Sequence, residues 1–278
     1  MWRAIAGALS LRAILLVLAA STLSGCQAAA LTRDPESSPA ISRAAPLPTS
    51  GLTEPPTTSP PPTSDPIASR YGFPTDIDPA ARYLFYFHGR IIEDQGLPAF
   101  SSEFGEYRYE AILETLAAGG FVVISELRPR DADGWEYAAK ASDQIETLIA
   151  AGVPAAQITV VGASKGAAIA TGLSYLTGDP EVNYVLLGTC HPSLLEEWRM
   201  QGVTLSGNVL AIYDIADDEY SGSCEELFAR SEGKGLGRHA EIVTQVGSGH
   251  GILYQPLDEW VLPTVRWATP EGLAGASR

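Results

Sequence analysis

Hydrophobic positions fall into two alternating kinds of segment. Tyr83–Phe87 is a continuous apolar run of five, long enough for a buried strand and too short for a helix. Tyr109, Ile112, Leu113, Leu116 and Ala117 then recur at helical spacing, and Gly119-Gly120 closes them. A second short run, 121–124, predicts the next strand. Ala138, Ala141, Ile145, Leu148 and Ile149 mark another helix, stopped by Gly152 and Pro154. Ile158, Val160 and Val161 open a strand that leads through Gly162-Ala163-Ser164-Lys165-Gly166 into small and apolar residues suited to a helix. Further strands are expected at 182–187, 208–213 and 240–246, and a closing helix at 256–267. Strands that alternate with helices predict an α/β fold: a mostly parallel, doubly wound sheet with helices on both faces.

The chain before this pattern has a different character. Arg3 and Arg12 supply a positive start to a short apolar run that ends in Leu23-Ser24-Gly25-Cys26. The run is too short to span a bilayer and reads as a signal segment over 1–26. Its end resembles the lipobox of bacterial lipoproteins, which implies cleavage before Cys26 and lipid on that thiol. Residues 27–66 are dense in Pro, Ser, Thr and Ala and have no hydrophobic period, so they read as an extended tether. The expected organisation is therefore signal 1–26, tether 27–66 and folded domain 67–278, exported and lipid-anchored at the bacterial cell envelope.

The charge changes the picture only by exclusion. With 18 Lys+Arg against 33 Asp+Glu the formal net charge is −15. Such a chain is a poor candidate for binding nucleic acid. Three cysteines occur. With Cys26 lipidated, Cys190 and Cys224 remain in an oxidising compartment and are expected to form a disulfide. The Cys and His residues show no metal-ligand spacing, so the reading calls for no metal and no cofactor.

Candidate chemistry centres on Gly162-x-Ser164-x-Gly166. A strand that enters a very tight turn, with a helix directly behind, raises a serine hydroxyl above the sheet, and glycines two residues either side let strand and helix pass closely. In a parallel sheet the functional loops lie at the carboxyl ends of the strands. Of four histidines, His239 precedes a predicted strand, His88 sits in a His-Gly pair suited to packing, and His191 is followed by Pro192. His250, in Gly247-Ser-Gly-His-Gly251 beyond the last strand, is the candidate base. Its orienting carboxylate is Asp217, past the preceding strand, with Asp218 second; Asp214 is still at the strand end. The oxyanion donors are expected to be the backbone N–H groups of Lys165 and Arg90.

These residues resemble the α/β-hydrolase family over about 82–268: His88-Gly89 after a strand, the Ser164 motif, then Asp217 and His250 in the order Ser…Asp…His. The resemblance implies an eight-stranded sheet or a trimmed version, and hydrolysis of an ester, thioester or amide of a small acyl substrate through an acyl-enzyme. The sequence departs from the pattern in two ways. No convincing strand precedes Arg82, which points to about six strands, and Lys165 is a cation where many members carry an apolar or amide residue. An acyltransferase or peptidase on the same triad is the alternative, and a tethered binding protein is the alternative from another class. Only the segment from Cys190 to Gly207 separates two adjacent predicted strands, too short for a multi-helix cap, so a shallow pocket is expected. Arg90, Arg128, Arg130 and Lys165 are expected near the active face, paired with Glu93, Asp94, Glu126 and Asp131.

Overall fold

A computed structural model describes residues 66–269. The expected signal segment, Cys26 and all but the last residue of the expected tether lie outside the described residues. Among the described residues eight strands follow in chain order: β1 Tyr83–Phe87, β2 Ala99–Ser101, β3 Gly105–Tyr107, β4 Val122–Ile124, β5 Ile158–Ala163, β6 Asn183–Leu187, β7 Gly207–Asp214 and β8 Leu236–Thr244. Six of them form one parallel sheet in the order β4-β1-β5-β6-β7-β8, and β2 and β3 form a separate antiparallel hairpin. This is the expected α/β architecture, a doubly wound parallel sheet of six strands with helices on both faces.

Alternation along the strands divides the core into two layers. Tyr83, Phe85 and Phe87 of β1 face one cluster while Leu84 and Tyr86 face the other. The first layer is covered by helices α4 Gly134–Ala150, α5 Lys165–Thr177, α6 Pro192–Gln201 and α7 Glu225–Ser231. The second is covered by α1 Pro66–Tyr71, α2 Arg90–Gln95, α3 Tyr109–Ala118 and α8 Asp258–Trp267. Burial on both faces explains why the central strands read as unbroken apolar runs.

β8 departs from the expected 240–246. It starts earlier and ends earlier, so His239 lies within a strand and not before one. As the sheet's edge strand it is half exposed over most of its length, and Gly237, Arg238 and His239 carry no apolar signal. Beyond Thr244 the chain turns away because Val246 N–H donates to Asp214 Oδ2 at 2.8 Å.

Register brings the strand ends level. Phe87 pairs with Gly162, Ala163 with Leu187, Leu187 with Ile212 and Asp214 with Thr244. His88, Ser164, Gly188 and the loops after Asp214 and Thr244 therefore emerge along one edge of the sheet.

Candidate active site

β5 delivers Ser164 into a left-handed conformation, φ 55° and ψ −118°, in which a non-glycine residue is strained by roughly 1–3 kcal/mol. The turn holds because its flanks allow no looser path. A Cβ on Gly162 would sit 2.2 Å from Gly166 O, and one on Gly166 would sit 2.0 Å from Phe87 O. Strand, turn and helix thus meet backbone to backbone. Ser164 N–H donates to Leu187 O at 2.9 Å, and Ser164 O accepts from Ala167 N–H at 2.8 Å as α5 begins. Among the described residues Ser164 Oγ makes no hydrogen bond, so the hydroxyl is uncommitted.

His250 lies in a short 3-10 segment, Gly249–Tyr254, and is buried. Its Nδ1 is 2.6 Å from Asp217 Oδ2, which assigns the proton to Nδ1 and leaves Nε2 as the acceptor. Gly188 links this pair to the serine. It follows Leu187, which holds the Ser164 amide, and a Cβ on Gly188 would lie 3.2 Å from His250 Cε1. Ser164 and His250 are not hydrogen-bonded in this conformation. Such bonds are often long before substrate arrives.

Two residues that support this pair were not assigned a role from sequence. Ser221 Oγ donates to Asp217 Oδ2 at 2.6 Å and so fixes the carboxylate. Asp214, at the end of β7, accepts from Thr244 Oγ1 and from the N–H groups of Ala216, Val246, Gly247 and Gly249. It anchors both loops, the one that carries Asp217 and the one that carries His250. Burial pushes its carboxyl up, but the Thr244 hydroxyl and the surrounding amides outweigh this and hold it below its ordinary value. Asp218 is exposed and takes no part in the His250 contact.

Cys190 and Cys224 form a disulfide with a Cα–Cα separation of 5.3 Å. Beside it, Gly222 N–H donates to Thr189 O, and Cys190 bridges Ser221. The cross-link therefore ties the Asp217–Ser221 loop to the end of β6. It closes a loop of sequence separation 34, worth about 4 kcal/mol by chain entropy. Replacing both cysteines by serine should lower the melting temperature by roughly 10 °C for a domain of this size. A scanning-calorimetry midpoint within about 2 °C of wild type would contradict this.

The other histidines are occupied. His191 caps α6, its Nδ1 accepting from Ser193 N–H at 3.3 Å. His239 stacks on Phe228, with ring centroids 4.9 Å apart. His88 is wholly buried: Nδ1–H donates to Gly89 O at 2.9 Å and Nε2 accepts from Arg128 N–H at 3.0 Å. Burial, reinforced by the Arg128 charge, lowers its pKa from 6.5 to about 3. The folded protein thus keeps His88 neutral while the unfolded chain takes a proton below pH 6.5. Its contribution is fully present above that pH and lost as pH falls toward 3, at about 1.4 kcal/mol per unit. Urea titrations from pH 7 to pH 4 should show this slope in wild type and a shallower one in His88→Gln. Equal slopes would sink the assignment.

The expected oxyanion donors begin two helices. Lys165 is the first residue of α5 and Arg90 the first of α2. A first-turn N–H has no acceptor within its own helix. The α2 start lies against the serine: a Cβ on Gly89 would be 3.7 Å from Ser164 Cβ. Tyr107 OH, held by Tyr86 OH at 2.7 Å, accepts from Gly89 N–H at 3.4 Å and supports this approach.

Beside His250 lies an open cleft of about 510 Å³, with walls that include Glu103, Phe104, Tyr220, Glu219 and His250. Ser164 is not in its wall; the cleft flanks the base. The Tyr220 ring is 5.0 Å from that of His250 and Phe104 is 6.2 Å from it. Of the basic residues expected here, Arg128 and Lys165 pair with Glu93, Arg130 with Asp94, and Arg90 with Asp94 and Asp131; Glu126 pairs with Lys140.

No family model and no curated protein sequence matches the chain. Among solved structures it is similar to an esterase of Pyrobaculum calidifontis, at 18% identity over 74% of this chain and 80% of that one, TM-score 0.44. It is also similar to a lipase of Bacillus licheniformis, at 12% identity over 69% and 94%, TM-score 0.42. A CIB-like hydrolase of Thermoplasma acidophilum aligns at 16% identity over 66% and 84%, TM-score 0.41. Any assignment of chemistry rests on the site itself.

Proposed function

We propose that the protein is a serine hydrolase that cleaves an ester, thioester or amide through an acyl-enzyme on Ser164. The observation that carries this reading is the Asp217–His250 pair at 2.6 Å, on the same sheet edge as a serine in a strained turn at a helix start. In the proposed reaction Ser164 Oγ attacks the acyl carbon as His250 Nε2 takes its proton. Asp217 holds the imidazole and stabilises its cation. The Lys165 and Arg90 N–H groups receive the oxyanion, each donor lowering the barrier by roughly 3–4 kcal/mol. The tetrahedral adduct collapses, and His250 returns the proton to the leaving group. Water, deprotonated by His250, then attacks the acyl-enzyme and releases the free acid and Ser164.

Support for small substrates comes from α6, a single ten-residue helix between β6 and β7. The basic side chains nearby are engaged by carboxylates and leave little to attract an anionic substrate. The cleft opens to solvent at Tyr220, 44% exposed, which gives water or another small acceptor access to the side of His250. The test is a panel of esters of rising acyl length, with an added alcohol or amine acceptor. Release of free acid from short and medium esters, undiminished by the acceptor, is expected. Dominant transfer to the acceptor would replace the hydrolase by a transferase.

The same reading places the domain outside the cytoplasm, anchored by lipid at Cys26. Cys26→Ser should move the protein from the membrane fraction to the soluble one. Unchanged partition would reject the anchor.

A further inference from the structure

Glu93 has no part in the reaction above, yet it joins the pieces of the site. It lies on α2, three residues after Arg90, and its side chain is 1% exposed. Its Oε1 accepts from Arg128 Nε at 2.7 Å and its Oε2 from Lys165 Nζ at 2.5 Å. Each partner is held again. Arg128 Nη2 donates to His88 O, and Arg128 N–H to His88 Nε2. Lys165 Nζ also donates to Ala132 O at 2.8 Å. One carboxylate therefore binds α2, the end of β1, the loop after β4 and the first residue of α5.

Two of those elements present the Arg90 and Lys165 amides. A buried carboxylate between two cations is weak as a source of stability, because desolvation opposes the Coulomb gain and apolar residues of similar volume often serve as well. Its effect here is geometric, since it sets the distance between one helix start and the other.

We propose that Glu93 is a positioning residue that fixes the two oxyanion donors relative to each other. This rests on the serine-hydrolase reading. The sign of the charge separates geometry from electrostatics. Glu93→Gln keeps the shape and leaves Arg128 and Lys165 unopposed. If Glu93 acted only through its charge, the variant would have more positive potential behind the oxyanion and would turn over faster. A positioning role predicts the reverse.

The experiment compares wild type, Glu93→Gln and Glu93→Asp on one ester, together with binding of an alkyl boronic acid, which mimics the tetrahedral adduct. For Glu93→Gln, kcat should fall roughly 10–100-fold with KM nearly unchanged, because a donor displaced by a fraction of an ångström loses much of its effect. Boronate affinity should fall by the same factor as kcat/KM, the acid limb of the pH profile should stay in place, and Glu93→Asp should recover part of the loss. If Glu93→Gln does not fold, Lys165→Met, which cuts one arm and keeps the amide, should show the same pattern at smaller size. A folded Glu93→Gln with wild-type or raised kcat overturns the proposal, as does a fall in kcat without a fall in boronate affinity. Wild type that neither hydrolyses esters nor binds boronate overturns the hydrolase reading, and this inference with it.

Discussion

Ser164→Ala should abolish turnover, by a factor on the order of 10⁶ in kcat, and leave the circular dichroism spectrum unchanged. Members of a triad act as a unit, so His250→Ala should cost nearly as much and the double variant little more. The structure gives reasons to expect a folded protein in both cases. Ser164 Oγ makes no hydrogen bond that the fold depends on, and the backbone contacts that hold the turn, Ser164 N–H to Leu187 O and Ala167 N–H to Ser164 O, survive the change. His250 is clamped mainly through its loop, whose amides bind Asp214 and not the imidazole. Asp217→Asn should cost less than either but still orders of magnitude, because it turns the imidazole toward the wrong tautomer. Folded Ser164→Ala with wild-type turnover would move the chemistry elsewhere and favour a binding role for this site.

Gly166→Ala should destabilise the domain by more than about 3 kcal/mol, and activity should fall with it. The added methyl would lie 2.0 Å from Phe87 O and 2.6 Å from Phe87 C. Neither atom belongs to a flexible side chain. β1 lies between β4 and β5 and bonds to both, so it cannot retreat without breaking the sheet and displacing His88. Gly178, at the other end of the same helix, is the control. It has φ 62° with nothing within 4 Å of its missing Cβ, so Gly178→Ala should cost only about 1 kcal/mol, from backbone strain. Urea titration of both variants checks the contrast. A Gly166→Ala protein within about 1 kcal/mol of wild type would mean that the close passage is not enforced.

The sheet was legible where burial is two-sided. β1, β5, β6 and β7 are apolar runs because both faces meet helices, and the glycines flanking Ser164 marked a place where strand and helix touch through their backbones. Edge and short elements left weaker traces. β8 carries Gly237, Arg238 and His239 near its start, and β2 and β3 have three residues each, too few for a period to register. α2 and α7 are likewise only six and seven residues long. At the site, chain order was enough to nominate Ser164, Asp217 and His250, since strand-end loops recur in sequence. The residues that hold them were not visible. Ser221 touches Asp217 only after a turn closes, Asp214 accepts from three amides more than 30 residues away, and Glu93 meets its partners across 35 and 72 positions. Such contacts arise from packing and have no local signature in the sequence.

Ser164 is the proposed nucleophile. The most direct measurement is peptide mapping by mass spectrometry after treating the folded protein with a fluorophosphonate. One adduct per chain is expected, on Ser164, in step with loss of ester hydrolysis and absent from His250→Ala. An adduct on another residue with Ser164 unmodified, or full inactivation with no adduct on Ser164, would contradict it.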